Sequence, residues 1–340
     1  MVAMADIRTD DGRVAGEAAV VRMLAPLTLG AAGALDLADD CALIAPGPGC
    51  ELVLKTDPVA EGVHFLAGDA PEDVAWKALA VNVSDLAAKA ARPVAYLLAL
   101  SFPEAPAEAW LRRFVAGLGE AQASFGCHLL GGDTDRRPGP VTVCVTIMGE
   151  VERGRMVRRG TAQPGDVLFV SGTLGDAALG LRLAKDGALA EAWGLAPAEA
   201  QHLRRRYARP QPRLALAGAL RAHASAAMDI SDGLAKDLGR MATASRCAMR
   251  IRLAALPLSA AAAKAVAADP AARELTVAAG DDYEVLAAVP PHRAAAYAAD
   301  ALAAGVAVAP VGEAAAGSGI LIEGPDGAPL PLARTGWDHF

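Results

Sequence analysis

The sequence lacks the features that mark several common classes of protein. Its five cysteines form no CxxC pair and no zinc-ligand spacing, so we expect free thiols rather than disulfides or a zinc centre. The segment MVAMADIRTDDGR is too charged for a signal-peptide core, and charges interrupt the alanine-rich runs before they could span a bilayer. We therefore expect a cytoplasmic protein without a membrane partner.

An excess of basic residues is also missing. The chain has 32 Lys and Arg against 39 Asp and Glu, which gives a formal net charge of -7. A protein that binds nucleic acid generally presents a basic surface to the phosphate backbone. This charge balance therefore predicts a small ligand and no nucleic-acid partner.

The 340 residues, 54% of them hydrophobic, are enough to form two domains. In the first half, helical patterns over about residues 71 to 91 and 105 to 124 alternate with the strand-like runs ELVLKTD, VAYLLALSF and VTVCVTIMGEV. The turn-rich break RRGTAQPGD then precedes a second set of strand-like and helical runs. These patterns predict two α/β-like domains, residues 1–155 and 156–340.

Aspartates recur at the ends of apolar strands and within apolar helices. Any one of them is most simply a cap or turn residue, but the recurrence favours a shared role. Asp85 is the hardest to explain as a cap, because it lies mid-helix in an apolar segment with Asn82 on the same face. Its simplest structural partner is Lys89, four residues later. The other positions are Asp39, Asp40, Asp57, Asp133, Asp229, Asp232, Asp281 and Asp282.

Carboxylates without clustered Cys or His select hard cations, and Mg²⁺ usually takes one or two of them and completes its shell with water and phosphate oxygens. So many aspartates suggest several Mg²⁺ ions and a polyphosphate substrate. Two glycine pairs are consistent with a phosphate-containing substrate. Gly131 and Gly132 would allow the backbone to approach a phosphate closely, while Gly172 and Gly175 precede a helix whose N-terminus could receive an anion. An ordinary tight turn explains either pair equally well.

The familiar nucleotide-binding motifs are absent. The chain has no GxxxxGK[ST], HRD or DFG motif and no GxGxxG after a strand, which excludes P-loop and protein-kinase chemistry. It resembles instead the thiamine-monophosphate kinase family over nearly its whole length, through the ordered segments DDCALI, KTDPVAEGVHF, WKALAVNVSDLAAKAARP, LLGGDTDR, MDISDGLAKDL, GDDYE and GWDHF. The resemblance implies an α/β (α+β) protein with the two-domain fold of aminoimidazole ribonucleotide synthetase. We then expect an N-terminal mixed sheet with helices, which binds ATP and Mg²⁺ and dimerises, and a C-terminal α+β domain.

The resemblance implies direct in-line transfer of a phosphoryl group from ATP to thiamine monophosphate, which gives thiamine diphosphate. It assigns Mg²⁺ ligation to Asp40, Thr56, Asp57, Asp85, Asp133, Asp229 and Asp232. It assigns ATP contacts to Gly132, Asp133, Arg158 and Ser231. It assigns substrate contacts to His64, Asp281, Arg334 and Trp337. No residue is assigned as a catalytic acid or base, since the attacking phosphate oxygen is already anionic.

Two residues among those that depart from the family pattern bear on the site. Lys55 stands where a serine or threonine usually precedes the Thr-Asp pair, and its ammonium could replace one metal contact. Arg334 lies where an aromatic residue is expected. These departures concern the metal count and the closure over substrate rather than the reaction class.

The resemblance also implies a homodimer joined through the first domain. The strands VAYLLALSF and VTVCVTIMGEV carry apolar residues on both faces, so their sheet needs cover on each side. The predicted helices could cover one face, and either a second copy or the carboxy-terminal half the other. Two further functions stay open: a sibling ATP-dependent synthetase, or a nucleotide-sensing paralogue without catalysis, although the latter is expected to lose some metal aspartates.

Overall fold

The computed structural model describes residues 9–324, 326–330 and 336–338, which divide between two units. Of these residues, the first unit contains 9–86 and 92–153, and the second contains 87–91 and the described residues from 154 onward. The short segment 87–91 is thus separated in the chain from the rest of the unit to which it belongs.

The first unit is built on a mixed four-stranded sheet. Its strands are β1 (Cys50–Ala60), β2 (Arg92–Phe102), β3 (His128–Arg136) and β4 (Thr142–Glu152). They lie in the order β1-β4-β2-β3, with β4 antiparallel to both of its neighbours and β3 parallel to β2. This part of the chain also forms α1 (Glu17–Leu24), α2 (Pro71–Ala88), α3 (Glu108–Phe125) and the 3₁₀ segments Ala25–Thr28 and Ala32–Leu37.

Helices α2 and α3 pack over one face of this sheet. Asn82 of α2 donates from Nδ2 to the carbonyl oxygen of Asp57 in β1 at 3.3 Å. The hydroxyl of Tyr96 in β2 donates to Gln122 of α3 at 3.0 Å. Because side chains alternate along a strand, every second residue of β1, β2 and β4 points toward these helices, and such residues as Ile147 are fully buried there.

The opposite face of the same sheet is exposed in the single chain. Leu54 of β1 is 64% exposed and Leu97 of β2 is 37% exposed, although both are large and apolar. One end of this face is covered by the segment around Ala34, which shares a small core with Met148. We call the remainder the open face, and it comprises Leu54, Thr56, Pro58, Leu97, Ala99, Cys144 and Thr146.

The second unit contains a six-stranded sheet. Its strands are β5 (Val167–Ser171), β6 (Ala226–Ile230), β7 (Ala248–Arg252), β8 (Glu284–Val289), β9 (Val308–Ala315) and β10 (Ile320–Glu323). They lie in the order β10-β7-β9-β5-β8-β6, and every pairing is antiparallel except that of β10 with β7.

Helices cover both faces of this second sheet. The helices of this unit are α4 (Asp176–Lys185), α5 (Leu189–Ala192), α6 (Pro197–Ala208), α7 (Ala217–His223), α8 (Leu234–Ser245), α9 (Ala260–Ala268), α10 (Pro270–Ala278) and α11 (Ala294–Ala303). Leu238 of α8 shares a core with Met228 of β6. On the other face, Leu220 of α7 and Tyr297 of α11 share a core with Phe169 of β5. The inner strands β5 and β8 and the edge strand β6 are therefore buried on both sides.

The strands predicted from the sequence are confirmed, and two elements differ from expectation. The first predicted helix ends at Ala88 rather than near residue 91, because Ala90 adopts a left-handed conformation with φ of 57°. The glycine pair of LLGGDTDR lies inside strand β3 rather than in a turn after it. The predicted fold class, with a mixed sheet in the first domain and an α+β arrangement in the second, is confirmed.

In the part of the chain that the structure describes, no helix combines the length and the apolar character needed to cross a membrane.

Candidate functional site

Two of the predicted metal ligands meet on the helix-covered face of the first unit. Strand alternation turns Lys55 and Asp57 of β1 to that face, and α2 places Asp85 opposite them. Lys55 Nζ lies 3.0 Å from Asp57 Oδ2 and 3.0 Å from Asp85 Oδ2. One ammonium therefore bridges two carboxylates. Lys89, the partner considered for Asp85 from the sequence, donates from Nζ to the carbonyl oxygen of Ala227 at 2.6 Å.

The charge on Lys55 follows from this geometry. Partial burial of the side chain opposes the charged form, but the two carboxylates, first Asp85 and then Asp57, outweigh it. Together they raise the pKa of Lys55 to about 12. The ammonium is therefore a permanent positive charge at neutral pH.

Two other predicted ligands of the first unit point to the open face. Thr56 lies between Lys55 and Asp57 in β1, so its side chain points away from theirs, and its hydroxyl donates to the carbonyl oxygen of Val145 at 3.1 Å. Asp133 of β3 pairs in register with Ala99 of β2 and is exposed. The structure thus divides the predicted ligands of this unit between two faces of one sheet.

At position 132, a predicted ATP contact, the neighbouring strand β2 leaves room only for glycine. A Cβ at this position would overlap the carbonyl oxygen of Leu98 in β2, because the two strands approach closely there. At Gly131 the nearest atom to such a Cβ would be Leu97 Cδ2, at an ordinary 3.5 Å. The structural need for glycine therefore rests on the second of the two positions.

The remaining predicted residues of the first unit lie in loops. Asp40 is exposed in the bend formed by residues 39–41. His64 lies in the turn after β1, and its Nδ1 accepts a hydrogen bond from the backbone N–H of Ala60 at 3.0 Å. Because Nδ1 accepts this bond, its lone pair is used within the turn.

In the second unit, the motif MDISDG runs from a buried strand into a tight loop. Asp229 is a nearly buried residue of β6, and Ser231 and Asp232 follow in the bend before α8. The backbone N–H groups of Ser231 and Asp232 both donate to Asp237 Oδ2, at 3.0 and 2.9 Å. Asp237, an acid of the first turn of α8, therefore holds the loop in shape.

The carboxylate of Asp232 is paired with cations of the same helix. Arg240 lies 2.5 Å from Asp232 Oδ2, and Lys236 lies 3.6 Å from the same atom. Arg240 also bonds Asp237 at 2.7 Å. Burial raises the pKa of Asp237, and its hydrogen bonds and Arg240 offset only part of that effect. None of these three partners was predicted from the sequence.

The motif GDDYE is joined to this loop through the backbone. The N–H of Asp281 donates to the carbonyl oxygen of Ser231 at 2.9 Å, and that of Tyr283 donates to Ile230 at 2.8 Å. Both Asp281 and Tyr283 have positive φ, 75° and 52°. The predicted ATP contact Ser231 and the predicted substrate contact Asp281 are thus brought together.

The described part of the C-terminal segment lies against the same loop. The N–H of Trp337 donates to the carbonyl oxygen of Asp232 at 2.9 Å, and Lys236 Nζ donates to the carbonyl oxygen of Trp337. The Trp337 side chain is about half exposed. Arg334, the other substrate residue predicted in this segment, lies outside the described residues.

The backbone of Arg158 is hydrogen-bonded to strand β6 of the second unit. Its carbonyl oxygen accepts from the N–H of Ala227 in β6 at 3.1 Å, while its side chain is exposed. The guanidinium is therefore available to a ligand while the main chain is fixed next to the strand that carries Asp229.

The helix N-terminus at Gly175 receives a carboxylate of the protein. The N–H of Gly175 donates to both oxygens of Asp282, at 3.0 and 2.9 Å. Nearby, the fully buried Glu284 pairs with Arg206 at 2.8 Å and with Arg213. The helix end that the sequence analysis considered for a substrate anion, at Gly172 and Gly175, is thus already hydrogen-bonded to a carboxyl group of the chain itself.

The predicted Mg²⁺ ligands are carboxylates and a hydroxyl, which are oxygen donors that Mg²⁺ prefers. Three of the carboxylates, however, form ion pairs with lysine or arginine side chains of the chain itself. Lys55 bridges Asp57 and Asp85, and Arg240 pairs with Asp232. Among residues 9–324, 326–330 and 336–338, no group of three or more His, Cys, Asp or Glu side chains is placed to hold a metal ion. The Asp57–Asp85 pair, as arranged, fits an ammonium and not an additional divalent ion.

The chain is similar to known proteins along most of its length. Residues 38–151 match the family described as AIR synthase related protein, N-terminal domain, and residues 163–323 match its C-terminal domain. The thiamine-monophosphate kinase of Caulobacter vibrioides is 43% identical over 325 residues, 94% of this chain and 89% of the relative. That of Escherichia coli strain K12 is 39% identical over 307 residues, 90% of this chain and 92% of the relative.

Solved structures agree. The thiamine-monophosphate kinase of Stenotrophomonas maltophilia matches with a TM-score of 0.81 and 40% identity, over 93% of this chain and 98% of that one. A structure described as AaThiL complexed with AMPPCP and TMP matches with a TM-score of 0.75 and 30% identity, over 98% of this chain and 99% of that one. The similarity therefore extends through both units.

Proposed function

The chain belongs to the thiamine-monophosphate kinase family, and from this membership we propose that it transfers the terminal phosphoryl group of ATP to the phosphate of thiamine monophosphate. The product is thiamine diphosphate. ATP is the co-substrate, in keeping with the relative solved with AMPPCP and TMP.

The observation that carries this proposal is the junction of three segments in the second unit. Ser231, which the sequence assigns to ATP, is bonded through its backbone to Asp281, which the sequence assigns to substrate. The neighbouring Asp232 is bonded to Trp337, also assigned to substrate. Residues proposed for the two reactants therefore share one loop cluster.

The proposed transfer needs no base on the protein. The attacking phosphate oxygen of thiamine monophosphate is anionic at neutral pH, so the demand on the enzyme is to position the reactants and to stabilise charge. We infer direct transfer without a phosphorylated side chain. The ATP contacts proposed are Gly132, Asp133, Arg158 and Ser231.

We infer that Mg²⁺ accompanies ATP and, when bound, neutralises charge on its phosphate oxygens. The predicted ligands Asp40, Thr56, Asp133 and Asp229 stay proposals for this role. Asp40 and Asp133 support it because both are exposed. The other predicted ligands, Asp57, Asp85 and Asp232, carry ion pairs with the chain's own lysine or arginine.

We also propose that two copies of the chain associate through the open face. Leu54 and Leu97 expose apolar surface on one face of the sheet, and exposed apolar patches of this kind mark association sites. A twofold pairing of the open faces would cover both copies at once. Because Thr56 and Asp133 point to the same side of the sheet, we expect activity to depend on this association.

Other partners and the location follow from the reaction. Both proposed substrates are small anions, and a net charge of -7 gives no reason to add a nucleic-acid partner. We propose a cytoplasmic location because the reaction consumes ATP.

A coupled ATP-consumption assay tests the function directly. The full chain is incubated with ATP, Mg²⁺ and one acceptor: thiamine monophosphate, thiamine or an aminoimidazole ribonucleotide-type compound. Products are identified by mass. We expect thiamine diphosphate from the first acceptor alone. Turnover of another acceptor in its place would assign the chain to a sibling activity, and no turnover with any acceptor would favour a sensing role.

A further inference from the structure

The arrangement at Lys55 has the form of a metal site with a protein cation in it. Lys55 Nζ lies 3.0 Å from one oxygen of Asp57 and 3.0 Å from one oxygen of Asp85. Hard divalent ions bind between carboxylate oxygens in the same way, although at shorter distances. A single compact charge therefore links a strand and a helix through two acids.

The three side chains are held in place by the fold. Lys55 and Asp57 are two residues apart in β1 and so share a face of the sheet. Asn82, one turn before Asp85 in α2, is fully buried and bonds the backbone of Asp57 and that of Ala78, at 3.3 and 3.0 Å. The helix that carries Asp85 is thereby fixed against the strand that carries Asp57.

We propose that Lys55 is a resident cation that takes the place of one divalent ion at the Asp57–Asp85 pair, so that this chain binds one ion fewer than its carboxylates alone would hold. The inference rests on the proposed function, because it concerns ions that would accompany ATP. It departs from the role expected for Asp57 and Asp85 from the sequence, which was direct ligation of Mg²⁺.

Charge and access both support the proposal. Two carboxylates and one ammonium leave a net charge of about -1, whereas the carboxylates alone would leave about -2 at the same place. The three side chains are 32%, 42% and 27% exposed for Lys55, Asp57 and Asp85. Solvent reaches the pair, so a divalent ion could enter if the lysine were removed.

The test removes the ammonium and keeps the carboxylates. Lys55→Thr is compared with the wild-type chain in the absence of nucleotide, with Mn²⁺ counted by electron paramagnetic resonance. We expect the variant to bind one more Mn²⁺ per chain than the wild type. Lys55→Arg, which keeps a cation, should retain the wild-type count, and Lys55→Thr combined with Asp85→Asn should lose the additional ion.

Thermal unfolding gives a second readout that needs no turnover. Without metal, Lys55→Thr should melt below the wild type, because its two carboxylates repel each other. Mg²⁺ should then raise the melting temperature of the variant more than that of the wild type. Lys264→Thr is the matched control: Lys264 pairs with one carboxylate, that of Glu199 at 2.7 Å, and its removal should not create a metal response.

An equal Mn²⁺ count and an equal Mg²⁺ response in Lys55→Thr and wild type would overturn the proposal. If Lys55→Thr does not fold, Lys55→Gln is measured in its place under the same criterion. The result is independent of the proposed function, since a wild-type chain that fails to phosphorylate thiamine monophosphate can still gain or not gain an ion when Lys55 is replaced.

Discussion

Asp282 is a buried acid whose surroundings oppose its ionisation. Burial raises the pKa of Asp282 well above its usual value, and the hydrogen bond from Gly175 offsets only part of that rise. The charge of Arg206 also lowers the pKa of Asp282, and the nearby acids Asp176 and Glu284 raise it by individually smaller effects. The folded chain therefore holds a proton at Asp282 more tightly than the unfolded chain does.

This difference predicts a pH dependence of stability. Because the folded pKa lies above the unfolded value of about 4, the contribution of Asp282 is fully present below about pH 4 and declines as pH rises through the folded pKa. Asp282→Asn removes the titration. Urea unfolding at pH 5 and pH 8 should show the wild type losing stability relative to the variant at the higher pH. A constant difference between the two proteins would contradict the assignment.

Asp229 supplies a prediction about activity. Asp229→Asn keeps the shape of a nearly buried side chain and removes its charge, so we expect a native circular-dichroism spectrum and at least about 100-fold slower phosphorylation of thiamine monophosphate. The matched control is Asp300→Asn on α11, where the exposed carboxylate pairs with His223 at 2.7 Å. Near-normal turnover of folded Asp229→Asn would remove this residue from the site.

The individual residues of the second-unit site could be predicted only in part. The motifs located Ser231, Asp232, Asp281 and Trp337, which the structure joins through backbone hydrogen bonds. Their partners could not be predicted, because the pairing of Arg240 with Asp232 depends on the shape of the loop between them. The arginines that meet buried Glu284 lie in HLRRRYARPQPR, a stretch that is typical of a solvated helix, and no local signal shows which of them turn inward.

At the scale of elements, strand β3 shows what a local pattern cannot resolve. Two consecutive glycines read as a turn, yet Gly131 and Gly132 continue the strand. The reason lies in β2, whose Leu98 carbonyl leaves no room for a Cβ on Gly132. Alternating strands such as β1 and β4 were predictable because their apolar periodicity is carried within one segment, whereas the need for glycine in β3 is set by a strand about thirty residues earlier.

Alanine substitutions at the two glycines test whether the Leu98 carbonyl of β2 requires glycine at position 132. Gly132→Ala should destabilise the chain by about 3 kcal/mol, because β3 must move away from β2 to admit the methyl group. Gly131→Ala, with its nearest neighbour at 3.5 Å, should change the free energy of unfolding by less than about 1 kcal/mol. Chemical denaturation of both variants measures the difference, and equal effects would show that the β2 carbonyl does not set the requirement.

At the scale of the whole molecule, the open face gives a prediction of assembly. Leu54→Glu places a charge on the exposed apolar face and should convert the proposed dimer into a species of one chain mass by light scattering, with loss of activity at the same dilution. Leu302→Glu is the control, since Leu302 is 70% exposed on α11 and lies outside the open face. A wild-type chain that is active and monomeric when dilute would exclude the dimer.

The placement of residues 87–91 in the second unit limits how the chain can be divided into separate fragments. Ala88 and Ala90 are fully buried in a core of the second unit. Between them, the carbonyl oxygen of Lys89 accepts from Val157 at 3.3 Å. A gene fragment that begins at Gly154 would encode the second unit without part of its own interior, and a fragment that ends at Arg153 would carry that part away. Recombination between two such genes must therefore transfer both stretches together, or the recipient is left with a mismatched interior.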